Sequence, residues 1–143
     1  MALFKFVVSD KEFSKQIEKE QQECPVSGKK IGETITGDFL GLDGYQLKIT
    51  GGHDKNGFCM HPDIDGVVRR RVLLTKGRGF SARLKRKKKL GRTRSGLRKR
   101  KTVVGNTISH EIVQINLKVE NQGSKPFKEL FPAKSKEEAP KSE

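Results

Sequence analysis

Four stretches of the chain alternate apolar and polar side chains with a period of two, which is typical of half-buried β-strands. These stretches are residues 3–8, 45–50, 68–74 and 113–119. In the first of them, the side chains of Phe4, Phe6 and Val8 fall on one face. The pattern therefore predicts at least four short strands, each with one face turned toward a core.

Turn residues separate these stretches. Residues 41–44 read GLDG and lie between two strand-like segments, as in a hairpin. Gly105 and Asn106 predict a second, two-residue turn between two strand ends. Together with 15 glycines and the near-regular spacing of short strands, these turns predict an all-β or mainly β protein. The expected architecture is a small antiparallel barrel, closed or nearly closed.

The segment that follows Ser9 permits two interpretations. Residues 9–12 have the form of a capping box, and Phe13 and Ile17 are spaced as on one face of a helix. The apolar stripe of such a helix is thin, however, and a polar hairpin through residues 13–18 accommodates the same side chains. The pattern alone leaves a helix and a hairpin open.

The composition is strongly basic. Of 143 residues, 31 are Lys or Arg and 17 are Asp or Glu, a formal net charge of +14. Valine, isoleucine, leucine and phenylalanine make up about a quarter of the chain, above the roughly 20% below which charged chains stay disordered. We therefore expect one domain with a small core over residues 1–132, followed by a flexible tail over residues 133–143.

The positive charge is concentrated in one segment. No acidic residue occurs between Gly66 and His110, and residues 69–101 contain 17 Lys and Arg residues, whereas the rest has 14 basic and 17 acidic residues. Charges this dense destabilise a fold unless a polyanion neutralises them, which predicts nucleic-acid binding. The candidate nucleic-acid-binding residues are Arg69, Arg70, Arg71, Lys76, Arg78, Arg83, Lys85, Arg86, Lys87, Lys88, Lys89, Arg92, Arg94, Arg98, Lys99, Arg100 and Lys101.

The centre of this segment, residues 77–96, is rich in Gly, Arg and Lys and has only isolated apolar residues. Because it cannot bury a core of its own, we expect a long basic excursion between strands that is disordered until it binds. Nothing in it resembles a recognition helix with base-reading positions. We therefore expect contacts with phosphates and with groove shape rather than readout of base sequence.

No pattern indicates catalysis, a metal or a cofactor. The side chains able to ligate a metal are Cys24, Cys59, His53, His61 and His110. Their spacings match no zinc site. Residues 77–82 imitate a dinucleotide fingerprint but lack the acidic residue about 20 positions on. No Ser/His/Asp or Cys/His arrangement is suggested. We expect a protein that is not an enzyme and has no metal, cofactor or small-molecule substrate.

Neither a membrane span nor a secretory signal is expected. No apolar run reaches the roughly 18 residues that a span needs, and the amino terminus lacks the pattern of a signal peptide. Two cysteines are too few for a disulfide scaffold and are typical of a reduced, cytosolic protein.

Residues 49–60 read ITGGHDKNGFCM and are rich in turn formers. Taken alone, they favour a structural corner in which glycines take positive φ and Asp or Asn caps the turn. They also closely resemble the signature of the archaeal and eukaryotic small-subunit ribosomal protein six, e-type, which runs hydrophobic-small-Gly-Gly-x-Asp-x-x-Gly-x-Pro-Met. The signature-loop residues are Gly51, Gly52, Asp54, Gly57 and Met60.

Further segments agree with that family in order and spacing, from about Phe4 to Leu130. They are GKKIG at 28–32, VLLTKG at 72–77, RKRKTVVG at 98–105 and INLK at 115–118. One departure is Cys59, which stands where the family usually has Pro. The chain also ends without the long basic helix and Ser-rich carboxyl terminus of the eukaryotic members. It therefore resembles the archaeal short form, and regulation by phosphorylation is not implied.

The resemblance implies a small β-barrel with a basic extension, bound to ribosomal RNA in the body of the small subunit, in the cytoplasm, beside neighbouring ribosomal proteins. It also implies that residues 13–18 form the second strand of a hairpin, which favours the hairpin over the helix. We expect a structural constituent of the small subunit in which the barrel is the platform and the basic excursion binds rRNA. The alternative is a free nucleic-acid-binding protein of chromatin-like or rRNA-assembly type.

Overall fold

The computed structural model describes residues 3–11, 13–80, 96–123 and 127–130, which form seven strands, one short α-helix and two 3-10 turns. The strands are β1 (Leu3–Ser9), β2 (Ser14–Glu20), β3 (Thr34–Thr36), β4 (Gln46–Asp54), β5 (Arg69–Leu74), β6 (Lys99–Val104) and β7 (Ile112–Asn121). The helix α1 is Phe127–Leu130, and the 3-10 turns are Gln21–Glu23 and Asp38–Leu40. The fold is mainly β, as predicted.

Five strands form one sheet in the order β2-β1-β7-β4-β3, which curls into a half-barrel. All neighbours are antiparallel except β1 and β7, which run parallel, with Phe6 opposite Ile115. No short turn connects this first and last strand, so nothing restricts them to antiparallel pairing. The expected antiparallel barrel is therefore corrected to a half-barrel with one parallel pair.

The core lies on one face of this sheet. The sheet residues in the core are Phe4, Phe6, Val8, Ile35, Leu47, Ile49, Ile112, Ile115, Leu117 and Val119. Leu42, Ile108 and Phe127 from the connections and α1 join the same cluster. A fully buried side chain of this size contributes about 2 kcal/mol. At the start of β7 a register shift opposite Asp54 buries Ile112 and leaves Val113, predicted to be inward, only half-buried.

The segment after Ser9 is a hairpin, so the helix interpretation was wrong and the hairpin that the resemblance favours is confirmed. β2 pairs along its length with β1, and the Asp10 N–H donates to the Phe13 carbonyl at 2.8 Å in the turn. Burial along β2 alternates, with Ile17 half-buried and its neighbours Gln16 and Glu18 exposed. Pairing with the strongly strand-forming β1 overrides the local capping signal.

The two-residue turn predicted at Gly105 and Asn106 was wrong. The chain instead runs extended from β6 between two loops, with the Asn106 N–H donating to the Ile64 carbonyl at 2.7 Å and the Ile108 N–H to the Lys29 carbonyl at 2.9 Å. Only glycine fits at position 105, because a Cβ there would lie 1.9 Å from the Gly66 carbonyl oxygen. The hairpin through residues 41–44 is confirmed, with β3 antiparallel to β4.

β5 and β6 form a separate two-stranded ribbon, here called the basic ribbon. Residues 59–61 link it to the half-barrel: the Met60 N–H donates to the Gly52 carbonyl and the Val104 N–H to the Cys59 carbonyl. In β5 the predicted alternation of burial holds only at the end of the strand, where Leu74 is buried. Val68, the residue immediately before β5, was predicted to be inward and is 58% exposed. Residues 81–95 of the predicted excursion (77–96) and the expected tail, residues 133–143, lie outside the described residues.

Candidate nucleic-acid interface

The signature loop is mostly strand. Gly51 to Asp54 are the last four residues of β4, so the expected corner is confined to residues 55–57. There the Asn56 N–H donates to the Asp54 carboxylate at 3.3 Å, and the Gly57 N–H donates to the Asp54 carbonyl at 2.8 Å. Gly57 has φ of 79°, a conformation that favours glycine. Asp54 thus caps the turn, as expected, whereas Gly51 and Gly52 lie in β4 and are not part of the turn.

Gly52 permits a close approach of three chain segments. A Cβ at this position would lie 2.4 Å from the Gln114 carbonyl oxygen and 3.1 Å from the Met60 sulfur. The smallest side chain is therefore required where β7 and the returning segment at Met60 meet β4. Met60, the last signature residue, is 1% exposed and belongs to the core. These signature residues position the backbone.

Arg69 joins the ribbon to the half-barrel in a cluster with Asp54 and Glu111, here called the Arg69 clamp. Its Nε donates to Asp54 Oδ2 at 2.6 Å, and its Nη2 donates to Glu111 Oε2 at 3.1 Å. The Asp54 side chain is fully buried, and the Arg69 guanidinium carbon lies 5.8 Å from the centre of the Phe58 ring. Arg69, predicted to bind RNA, is thus occupied by internal acidic partners that no spacing in the sequence indicated.

The other cations of the ribbon have no such partners. None of Arg70, Arg71, Arg100 and Lys101 forms an ion pair among the residues that the structure describes, and all four are exposed. The register places Arg71 opposite Thr102 and Arg100 opposite Leu73, so both arginines lie on one face of the ribbon. Lys101 lies opposite Val72 on the other face. Positive charge is therefore presented on both sides.

The chain that leaves β5 folds back over the signature loop. The Arg78 Nη1 donates to the Thr50 carbonyl oxygen. Gly79, with φ of 76°, packs so closely that a Cβ would lie 2.6 Å from the Cys59 sulfur. Arg78 and Gly79, expected to belong to a disordered excursion, therefore contact the signature loop. Lys76, just before them, is exposed.

Two adjoining pockets lie at the junction of signature loop, returning segment and ribbon, and together they are here called the junction groove, each pocket being one of its openings. Their volumes are about 340 and 500 Å³, and both are lined by His53, Cys59 and Gly79. Arg78 lies at the smaller opening, and the larger one is lined by Arg71, Arg100, Lys101 and Phe58. Sequence reasoning did not single out His53 and Phe58 for this position, because only the folded chain brings them beside the ribbon.

The remaining predicted RNA-binding residues fall into two groups, those that the structure describes and those outside the described residues. Arg98 and Lys99, at the start of β6, are exposed like the other ribbon cations. A further group lies outside the described residues: Arg83, Lys85, Arg86, Lys87, Lys88, Lys89, Arg92 and Arg94.

The two cysteines differ in environment. Burial raises the pKa of the Cys24 thiol, which donates to the Glu20 carbonyl at 3.1 Å. Cys59 is half-buried and lines both openings of the junction groove. In the described ranges, no three His, Cys, Asp or Glu side chains are grouped so that they could hold a metal ion. No helix in those ranges has the length and apolar character required to span a bilayer.

The chain is therefore a small, mainly β protein in which a curled half-barrel carries a basic ribbon. The profile of the ribosomal protein S6e family matches residues 4–132. The small ribosomal subunit protein eS6 of Methanosphaera stadtmanae is 46% identical over 130 residues, covering 90% of this chain and 92% of the relative. The eS6 protein of Methanothermobacter thermautotrophicus is 47% identical over 131 residues, covering 91% and 96%.

The chain therefore belongs to the ribosomal protein S6e family. The family resemblance seen in the signature loop is confirmed, and these relatives are archaeal, as expected. The protein is structural and not an enzyme, also as expected.

Proposed function

We propose that this chain is a constituent of the small ribosomal subunit, in the cytoplasm, and that it binds ribosomal RNA through the basic ribbon and the excursion that continues it. The relatives named above are small-subunit proteins, which supports the place in the ribosome. The single observation that carries RNA binding is the ribbon itself, whose cations beyond Arg69 have no acidic partner among the described residues.

The chemistry of such a surface is that of phosphate neutralisation. Each phosphate that a Lys or Arg neutralises releases condensed counterions, so the logarithm of affinity falls with the logarithm of salt by about 0.7 to 0.9 per contact. Arginine adds bidentate contacts to phosphate oxygens, and lysine acts as a point charge. Because the ribbon presents cations on both faces, it suits a position between two RNA segments rather than on a single surface.

The half-barrel acts as the platform in this proposal. It is anchored to the ribbon by the Arg69 clamp and by the hydrogen bonds of residues 59–61. Its own charges are largely paired, as in the pair of Lys48 and Glu120 at 2.8 Å. Outside residues 69–101 acidic residues slightly outnumber basic ones, so the half-barrel is suited to neighbouring ribosomal proteins rather than to RNA.

The test compares the intact chain with a variant in which residues 81–95 are replaced by a Gly/Ser segment of equal length. This replacement removes eight cations and leaves residues 77–80 in place. Binding of both proteins to archaeal small-subunit rRNA is measured over a series of KCl concentrations. We expect the variant to lose affinity and up to about 7 units of salt slope, while its circular dichroism spectrum is retained. An unchanged slope would show that the excursion does not contact RNA.

Co-sedimentation separates the ribosomal role from that of a free nucleic-acid-binding protein. An epitope-tagged chain is expressed in an archaeal host, and the lysate is fractionated on a sucrose gradient. We expect the chain in small-subunit fractions after a high-salt wash. Recovery with chromosomal DNA instead would support the chromatin-like alternative.

A further inference from the structure

The junction groove has features that neutralisation of phosphates does not require. The larger opening is lined by His53, Phe58 and Cys59 as well as by cations, and the smaller one by His53, Cys59 and Arg78. Exposed cations suffice for binding a phosphate backbone, as on the rest of the ribbon. A half-buried imidazole in the same opening as a half-buried phenyl ring, one side of which the Arg69 guanidinium already covers, offers instead a surface on which a flat ring can stack.

The size of the groove suits one small organic group. Its openings, about 340 and 500 Å³, fall in the range of roughly 300–1,000 Å³ that is typical of small-ligand sites. A paired RNA helix cannot enter such a space, but a single base turned out of a helix can. Unpaired bases are also the part of RNA that proteins bind by stacking on aromatic and imidazole rings.

The charges at the openings complete this arrangement. Arg78 stands at one opening and Arg71 and Arg100 at the other, so the phosphates on either side of an inserted nucleotide would each meet a guanidinium. None of the three has an acidic partner among the described residues. The Arg69 clamp holds the ribbon against the half-barrel, and Gly79 lies close to Cys59, so both contacts fix how the residues of the groove are placed.

We propose that the junction groove binds a single unpaired RNA nucleotide, its base against His53 and Phe58 and its flanking phosphates at the arginines of the two openings. This proposal rests on the proposed function and deepens it. The excursion and the ribbon cations outside the groove supply affinity that is the same for paired and unpaired RNA. The groove sets the register of the protein on its RNA, because an inserted nucleotide fixes one point of contact along the strand.

The first test uses the unaltered protein and its own cysteines. Two RNA hairpins with equal numbers of phosphates are compared, one fully paired and one with a single bulged nucleotide. Alkylation of Cys59 by N-ethylmaleimide is followed by mass spectrometry at saturating RNA. Buried Cys24 serves as an internal control for unfolding. We expect the bulged hairpin to protect Cys59 and the paired hairpin to leave its rate unchanged. Equal protection by both hairpins, or by neither, would overturn the proposal.

The second test replaces the ring that both openings share. The His53→Ala variant is expected to lose about tenfold in affinity for the bulged hairpin and none for the paired one, since stacking of one base is worth about that much. His53→Phe keeps a ring and is expected to retain the preference. His110→Ala is the matched control, because His110 is exposed and lies outside the groove. If His53→Ala and His110→Ala behave alike, the base does not contact His53 and the proposal fails.

The third test concerns the phosphates. Arg100→Ala is expected to lower the salt slope by about 1 for both hairpins, and Lys11→Ala, an exposed cation on the β1–β2 turn, is expected to leave it unchanged. A protein without salt-dependent affinity for either hairpin would contradict the proposed function itself. Salt-dependent binding with no preference for the bulge would contradict only the groove.

Discussion

The half-barrel and the basic ribbon satisfy their charges in different ways. On the half-barrel, lysines lie beside carboxylates of neighbouring strands or turns, such as Lys5 with Glu18 at 3.3 Å and Lys29 with Glu33 at 3.4 Å. On the ribbon, Arg69 alone among the described cations has acidic partners. Exposed pairs like those of the half-barrel contribute little stability each. They nevertheless give five lysines of the half-barrel a carboxylate partner, whereas the ribbon cations beyond Arg69 have none among the described residues.

The two regions also differ in how they use apolar side chains. The half-barrel buries its apolar residues in one cluster on the concave side of the sheet. On the ribbon only Val104 joins that cluster, whereas Val103 and Leu74 are buried beside Gly79 and Leu73 is 54% exposed. The half-barrel therefore supplies the folding stability, and the ribbon depends on its attachment to keep its shape.

The largest loss of stability is expected when the attachment of the ribbon to the half-barrel is broken at the Arg69 clamp. Arg69→Ala leaves the fully buried Asp54 carboxylate without its cation, and breaking a buried pair in this way costs about 3–5 kcal/mol. Arg70→Ala, one residue on and exposed, is the matched control and is expected to change stability by no more than about 0.5 kcal/mol. Urea unfolding followed by circular dichroism measures both. Similar midpoints for the two variants would show that the clamp does not anchor the ribbon.

The next largest difference in stability is expected between two leucine variants, one in each region. Leu117→Ala removes a fully buried side chain from the centre of the sheet and is expected to cost about 2–5 kcal/mol. Leu73→Ala removes the same atoms from an exposed position on the ribbon and is expected to cost less than about 0.5 kcal/mol. Thermal unfolding of both variants gives the comparison. Comparable losses would mean that the ribbon has a packed core of its own, contrary to the division drawn above.

The smallest effect concerns a paired charge of the half-barrel. Hydrogen bonds from Lys48 and Thr34 hold the pKa of the Glu120 carboxyl below its ordinary value. A lowered pKa in the folded state stabilises the fold above the unfolded value, roughly 4.3, and this contribution is lost as the pH falls through the folded pKa. Glu120→Gln is therefore expected to be slightly less stable than the unaltered protein at pH 7 and equally stable in acid.

Urea titrations at several pH values between neutral and acid measure this difference. Asp43→Asn serves as control, because Asp43 is exposed and has no ion pair in the described part of the chain. A difference between Glu120→Gln and the unaltered protein that persisted in acid would show that the side chain acts through packing rather than charge.

By itself, the sequence determined four of the strands, the location of the positive charge and the family. Strand periodicity is a local property, and the alternation at Phe4, Phe6 and Val8 appears unchanged in the fold because one face of β1 is buried. The absence of acidic residues between Gly66 and His110 is likewise a property of composition. The sequence left the hairpin after Ser9 ambiguous, and the resemblance decided it correctly.

Tertiary structure decided what depends on residues far apart in the chain. The parallel pairing of β1 with β7, the path of residues 105–108 between two loops and the inward position of Ile112 all follow from contacts across the sheet. So does the position of Arg69, which composition could not separate from its neighbours. Its partners lie 15 and 42 residues away, and only the folded chain brings a buried carboxylate to that one arginine while leaving the next two free of ion pairs among the described residues.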